Sequence, residues 1–302
     1  MSGELSGLQS RFGAVEPRAL FVHCRGHNLN LVVQDEVKNN QAIENVMSLV
    51  QKFIAFARGS PKRLAWFNQL KNEVQTPDGN HGTSFRPFCP TRWIMRKPSL
   101  ISITSNYSSL LQWLRDLETN PDFKTCRVEA SGFLMQFEKF DTYFKLEMLR
   151  QIFTVLEDTS VRLQSEQLNF RLAESIIETL KNVFKSARSE SRFKTLWEAS
   201  ISSAKLLELN EPETPRKRKA PSRFESSSSA CYYPSTPEEH YCQVYFSVMD
   251  GVIVGLSTRF EPTTTTRHLR NVEDFLVGLD GVENVQSFYG NDFEDYSRLT
   301  LH

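Results

Sequence analysis

Three short runs of this 302-residue sequence carry side chains whose types and spacing could do chemistry. Cys24-Arg25-Gly26-His27 sets a thiol and an imidazole three residues apart, a spacing that suits two ligands of one zinc ion. A structural zinc site takes four ligands, and no second Cys/His pair is suitably spaced, so zinc is not expected. Arg92-Trp93 joins a guanidinium that can hold phosphate to a flat ring on which a base can stack, and the competing reading is a core tryptophan. Arg216-Lys217-Arg218-Lys219, with Pro215 and Pro221 on either side, has the make-up of a nuclear-import signal, or equally of a solvated charge run.

Other chemistry is not supported. The sequence has no Gly-x-x-x-x-Gly-Lys phosphate loop, no Gly-x-Gly-x-x-Gly, no Gly-x-Ser-x-Gly and no His-Glu-x-x-His. Lys and Arg number 36 against 36 Asp and Glu, so no global field draws the chain to nucleic acid or anionic lipid, and any such binding must come from local patches. The five cysteines, Cys24, Cys89, Cys126, Cys231 and Cys242, are unevenly spaced and leave one over if paired, which predicts a reducing compartment rather than a disulfide framework. The most apolar stretch, Phe246 to Leu256, is interrupted by Asp250, so no membrane span is expected.

The elements that must position these residues read mainly as helices. A short helix through Leu5 to Phe12 precedes a β-like run, Ala19 to His23. Ser60-Pro61 supplies an N-cap and a first-turn proline ahead of Leu64, Phe67 and Leu70 at helical spacing. The polar stretch Thr76 to Ser84 ends that helix. Phe133, Phe137, Phe140, Phe144, Met148, Ile152 and Val155 form one apolar stripe, and Leu168, Leu172, Ile176, Leu180 and Phe184 a second. The stripes are expected to pack on each other and on a helix carrying Leu110, Leu111 and Leu114. Between Asn210 and Ser235 the composition turns to Pro, Ser and charge, which predicts a disordered linker. Thr236-Pro237-Glu238-Glu239 then starts a helix through Tyr245, Val248, Val252 and Leu256, and the tail beyond Thr263 is mixed and partly helical.

Several patches in order resemble the catalytic domain of hAT-superfamily transposases, in the branch that includes MYM-type zinc-finger proteins of transposon origin. They are Met1-Ser2-Gly3, Gly7 to Arg11, Pro17 to Cys24, His27 to Leu31, Phe56 to Arg63, Thr91-Arg92-Trp93, Leu163-Gln164, and Met249-Asp250 through Leu256, Arg259 and Phe260. The resemblance spans nearly the whole chain. It implies a mainly α fold: an incomplete ribonuclease-H-like (α/β) remnant over 1–97, a helical insertion domain over 98–209, a basic, Ser-rich linker over 210–235, and a helical return segment over 236–302 that stops before the family's dimerisation region. It also implies that Cys24 and His27 match a Cys-x-x-His motif beside the family's active site, and that Arg92 and Trp93 match an Arg-Trp motif whose Trp contacts DNA.

The family cuts DNA with two Asp and one Glu holding two Mg2+ or Mn2+ ions. By resemblance both Asp belong upstream of Met1, and the Glu belongs after Phe288 to Phe293, where the last Glu of the chain is Glu294. The expectation is therefore a catalytically inactive, transposon-derived nuclear protein with no cofactor of its own and residual DNA binding. The alternatives are a helical protein-interaction scaffold without nucleic-acid affinity and a truncated gene model of an active transposase. An isolated strand at Ala19 to His23, with both edges unpaired, is expected to invite self-association or a protein partner.

Overall fold

Two helix starts marked in the sequence by a hydroxyl residue followed by proline are helix starts in the computed structural model. Ser60 Oγ accepts from the backbone N–H of Arg63 at 3.4 Å, and Thr236 Oγ1 accepts from that of Glu239 at 3.2 Å. Each satisfies one of the donors that a first helical turn leaves without an intrahelical partner. The structure describes residues 7–16, 20–73, 84–89, 96–214, 234–278, 285 and 287–288.

Within these, the order is α1 (Leu8–Val15), α2 (Arg25–Asn39), α3 (Gln41–Arg58), α4 (Pro61–Glu73), α5 (Lys97–Thr104), α6 (Tyr107–Thr119), a 3-10 turn (Pro121–Cys126), α7 (Arg127–Phe137), α8 (Phe140–Arg162), α9 (Phe170–Ala187), α10 (Glu190–Leu206), α11 (Pro237–Arg259) and α12 (Thr264–Leu276). No strand occurs among the described residues. No helix among them is long and apolar enough to cross a membrane.

The α8 helix is the axis of the bundle, touching α2, α3, α5, α7, α9 and α10. Phe140, Phe144, Met148 and Ile152 of its stripe are buried, as the periodicity predicts. The stripe is carried by two helices rather than one. Lys139 adopts an extended conformation, breaking the helix between Phe137 and Phe140, yet both rings stay fully buried. In the second stripe Ile176, Leu180 and Phe184 are buried on α9, while Leu172 is exposed.

Aromatic rings gather in two places. Phe53 of α3 meets Phe85, Trp113 of α6, and Phe133 and Phe137 of α7, edge to face, with centroids 4.8 to 6.1 Å apart. In the first turns of α8, Phe140 and Phe144 meet Trp197 of α10 and Tyr241 of α11. Offset and edge-to-face pairs of this kind contribute attraction beyond the area they bury. One continuous apolar core runs from Leu29 of α2 to Phe260 at the end of α11, so helices of the first ninety-seven residues and the return segment share it.

The β-like run is corrected. Leu20 to His23 have no regular structure, and Ala19 lies outside the described residues. A strand is stable only when a neighbour takes up its N–H and C=O groups, and no second strand is present among the described residues to do so. Phe21 and Val22 remain exposed, and Phe21 packs instead against the ring of His23 at 4.7 Å. Self-association through an unpaired strand edge therefore loses its structural premise. The ribonuclease-H-like remnant is likewise not seen; the described architecture is helical.

Candidate nucleic-acid interface

Cys24 is the N-cap of α2 and His27 lies in its first turn. Apolar residues at Leu29, Val32, Val33 and Val37 bury one face of this helix, leaving Cys24 and His27 exposed at its head. The side chain of Gln164, in the turn between α8 and α9, lies 3.6 Å from where a Cβ on Gly26 would stand, an ordinary van der Waals distance. The structure thus brings two separated sequence landmarks, Cys24 to His27 and Leu163-Gln164, to one point.

Arg92 and Trp93 lie outside the described residues, as do Thr91 and the basic run Arg216 to Lys219. Most of 210–235 lies outside them too, and so does nearly all of the Thr76 to Ser84 stretch.

Among the described residues no group of three His, Cys, Asp or Glu side chains is placed to hold a metal ion. The thiol and imidazole of Cys24 and His27 do not make the carboxylate set that a two-metal centre of Mg2+ or Mn2+ needs.

Other family-like landmarks prove to be structural ties. Arg63 donates from Nε and Nη2 to the carbonyl of Phe56 at 3.2 and 2.7 Å, and its guanidinium stacks over the Phe56 ring at 4.4 Å. Arg259, at the end of α11, donates from Nε to Asp35 of α2 at 3.0 Å. Arg188 donates from Nη2 to Asp250 at 2.9 Å, joining the end of α9 to the middle of α11.

The seam between α2 and α11 is made by small residues one turn apart. A Cβ on Gly255 would stand 3.0 Å from Cγ1 of Val32, and a Cβ on Gly251 would fall onto the carboxylate of Glu36. Burial pushes Glu36 up to about 7, only partly offset by a hydrogen bond from Asn40. Nothing in the local sequence marks Glu36, because its burial comes from a helix more than two hundred residues away. Arg25 is unmarked in the sequence for the same reason. It sits inside the Cys-x-x-His motif, but what surrounds it comes from α9, α11 and α12.

Residues 22–128 match the family model of the ZBED1 RNase-like helical domain. This supports a transposon-derived protein of hAT/ZBED type. The matched stretch runs from Val22, just before the Cys24 motif, through α2 to α6 and into the first residues of α7. No solved structure matches the chain.

Proposed function

We propose that the chain is a transposon-derived helical protein that binds DNA without cutting it and works in the nucleus. The match over residues 22–128 carries this reading, because it covers both Cys24-x-x-His27 and Arg92-Trp93, the two motifs whose counterparts lie at the family's active site and DNA contact. The exposed position of Cys24 and His27 at the head of α2 leaves that end of the bundle open to a strand. The zero formal charge limits the affinity to a local patch, so binding is weak and steeply dependent on salt.

The test is equilibrium binding to duplex and hairpin DNA across salt. Phosphate contacts predict that log K falls linearly with log salt, by about 0.9 per contact on duplex. A protein-interaction scaffold predicts no DNA binding even at low salt, and that result would overturn the DNA half of the proposal.

Nuclear residence is attributed to Arg216 to Lys219. Replacing all four by glutamine in a fluorescent fusion is expected to move the protein from nucleus to cytoplasm. Unchanged nuclear accumulation would remove the assignment from these residues.

A further inference from the structure

Beneath the Cys24 to His27 turn lies a cavity of about 740 Å3, walled by α9, by the head of α2 and by the chain from Phe260 into α12. Five cations from three helices line it: Arg25 of α2, Arg171 and Lys181 of α9, and Arg267 and Arg270 of α12. Three of them have carboxylates. Arg171 meets Asp274 at 2.5 Å, Arg270 meets Glu174 at 3.1 Å, and Lys181 lies 3.9 Å from Glu178. A further acid, Glu273, is engaged by the backbone N–H groups of Phe170 and Arg171 at the start of α9, at 2.8 and 3.4 Å.

That leaves Arg25 and Arg267 without an ion pair among the described residues, with Glu174 acting on Arg25 from beyond ion-pair distance. Among the described residues, the Arg267 side chain donates from Nη2 to the carbonyl of Pro262, at 3.3 Å. Arg25 lies near the rings of Phe170 and Phe260, at 5.9 and 6.0 Å, and its Nε is buried with no hydrogen-bond partner among the described residues. Burial lowers the pKa of Arg25, an effect that Glu174 only partly offsets. A guanidinium carries five N–H donors in a rigid fork, and a buried donor without an acceptor is destabilising. An anion with several oxygens in the cavity would supply what the protein withholds.

Phosphate fits this arrangement better than a single carboxylate, because its oxygens can accept from two guanidinium forks at once. The volume lies within the range of small-ligand sites, and Phe260 and Ile177 add apolar wall for a sugar or base. We propose that the cavity between α2, α9 and α12 binds a phosphate-bearing nucleotide unit, with Arg25 as the deep cation and Arg267 as the cation at the rim. The unit comes either from a nucleic-acid strand or from a free nucleotide. The first source rests on the DNA-binding reading above; the second does not.

The experiment uses the full chain and the variants Arg25→Gln, Arg267→Gln and, as a control outside the cavity, Lys185→Gln. A labelled single-stranded oligonucleotide is titrated by anisotropy at about 50 and 200 mM salt, and ADP is tested by its effect on the melting temperature. Strand binding through the cavity predicts that Arg25→Gln and Arg267→Gln each lower the salt slope by about 0.7, the worth of one phosphate contact on a single strand. The fourfold rise in salt then weakens the wild type about threefold more than either variant, with Lys185→Gln changing it less.

A rise in melting temperature with ADP that Arg267→Gln abolishes, without oligonucleotide binding, upholds the cavity as a nucleotide site and removes the strand as its source. Oligonucleotide binding that is equal in all variants, with no response to ADP, overturns the cavity while leaving DNA binding intact. No binding of either probe overturns both. Arg267 is exposed, so its variant decides the matter even if Arg25→Gln unfolds the protein.

Discussion

Phe53→Ala is expected to lower the stability of the protein by about 3–5 kcal/mol, the range found when a buried phenylalanine is cut back to a methyl group. Phe53 is fully buried, and its ring is the hub that Phe85, Trp113, Phe133 and Phe137 approach edge to face. Truncation removes apolar area and leaves a void that four large rings, held on three separate segments, cannot all move to fill. Denaturant unfolding of the wild type and variant measures this directly, as a fall in midpoint at unchanged slope. Phe12, 60% exposed on α1, provides the control, and Phe12→Ala is expected to stay within about 0.5 kcal/mol of the wild type. A loss at Phe53 below about 1 kcal/mol would mean that the ring cluster is not packed as described.

The cluster also has a bearing on the family match. Phe53, Phe85 and Trp113 lie inside residues 22–128, whereas Phe133 and Phe137 lie beyond them. The matched region therefore does not complete its own core, and a fragment ending at residue 128 would expose the faces that α7 covers.

Glu36→Gln is expected to act in the opposite direction, stabilising the protein at neutral and higher pH by on the order of 2–3 kcal/mol. The sign follows from proton counting. Glu36 titrates at about 7 in the folded chain against an ordinary 4.5, so between those values the folded state holds a proton that the unfolded state has released. Stability contributed by the protonated carboxyl is complete below about 4.5, falls as pH rises through the window, and is lost above about 7. Glutamine cannot ionise, so its variant should lack this part of the pH dependence while matching the wild type at low pH. The midpoint of urea unfolding at several pH values from 4.5 to 8 is the measurement. Parallel curves for the two proteins would show that Glu36 is solvated in the folded state and that the α2–α11 seam is looser than the Gly251 contact indicates.

These predictions separate what local sequence can reveal from what it cannot. Ser60-Pro61 and Thr236-Pro237 announce their helices because a cap is a contact between residues three apart. The burial of Phe137, Phe140, Phe144, Met148 and Ile152 is legible for a similar reason, since residues three or four apart share a helix face. The break at Lys139 escapes periodicity, because the same spacing of rings is compatible with one bent stripe or two helices. The run Ala19 to His23 carries a strand signal without forming a strand over Leu20 to His23, because strand propensity describes a residue's fit to a sheet, and the sheet has to be supplied by other segments.

The candidate site divides in the same way. Cys24, His27 and the order of the family-like patches stand in the sequence, and so does the helical class that 22–128 supports. Asp35 and Arg259 are 224 positions apart, and their pairing exists only once α11 lies along α2. The burial of Glu36, the Arg25 Nε left without a hydrogen-bond partner among the described residues and the cationic cavity around it likewise arise where helices distant in sequence converge. Sequence by itself determined the helices and their apolar faces, because those depend on neighbours along the chain. Tertiary structure alone decided which charges are buried and which lack a partner, because solvation and pairing depend on whatever the fold brings within a few ångströms.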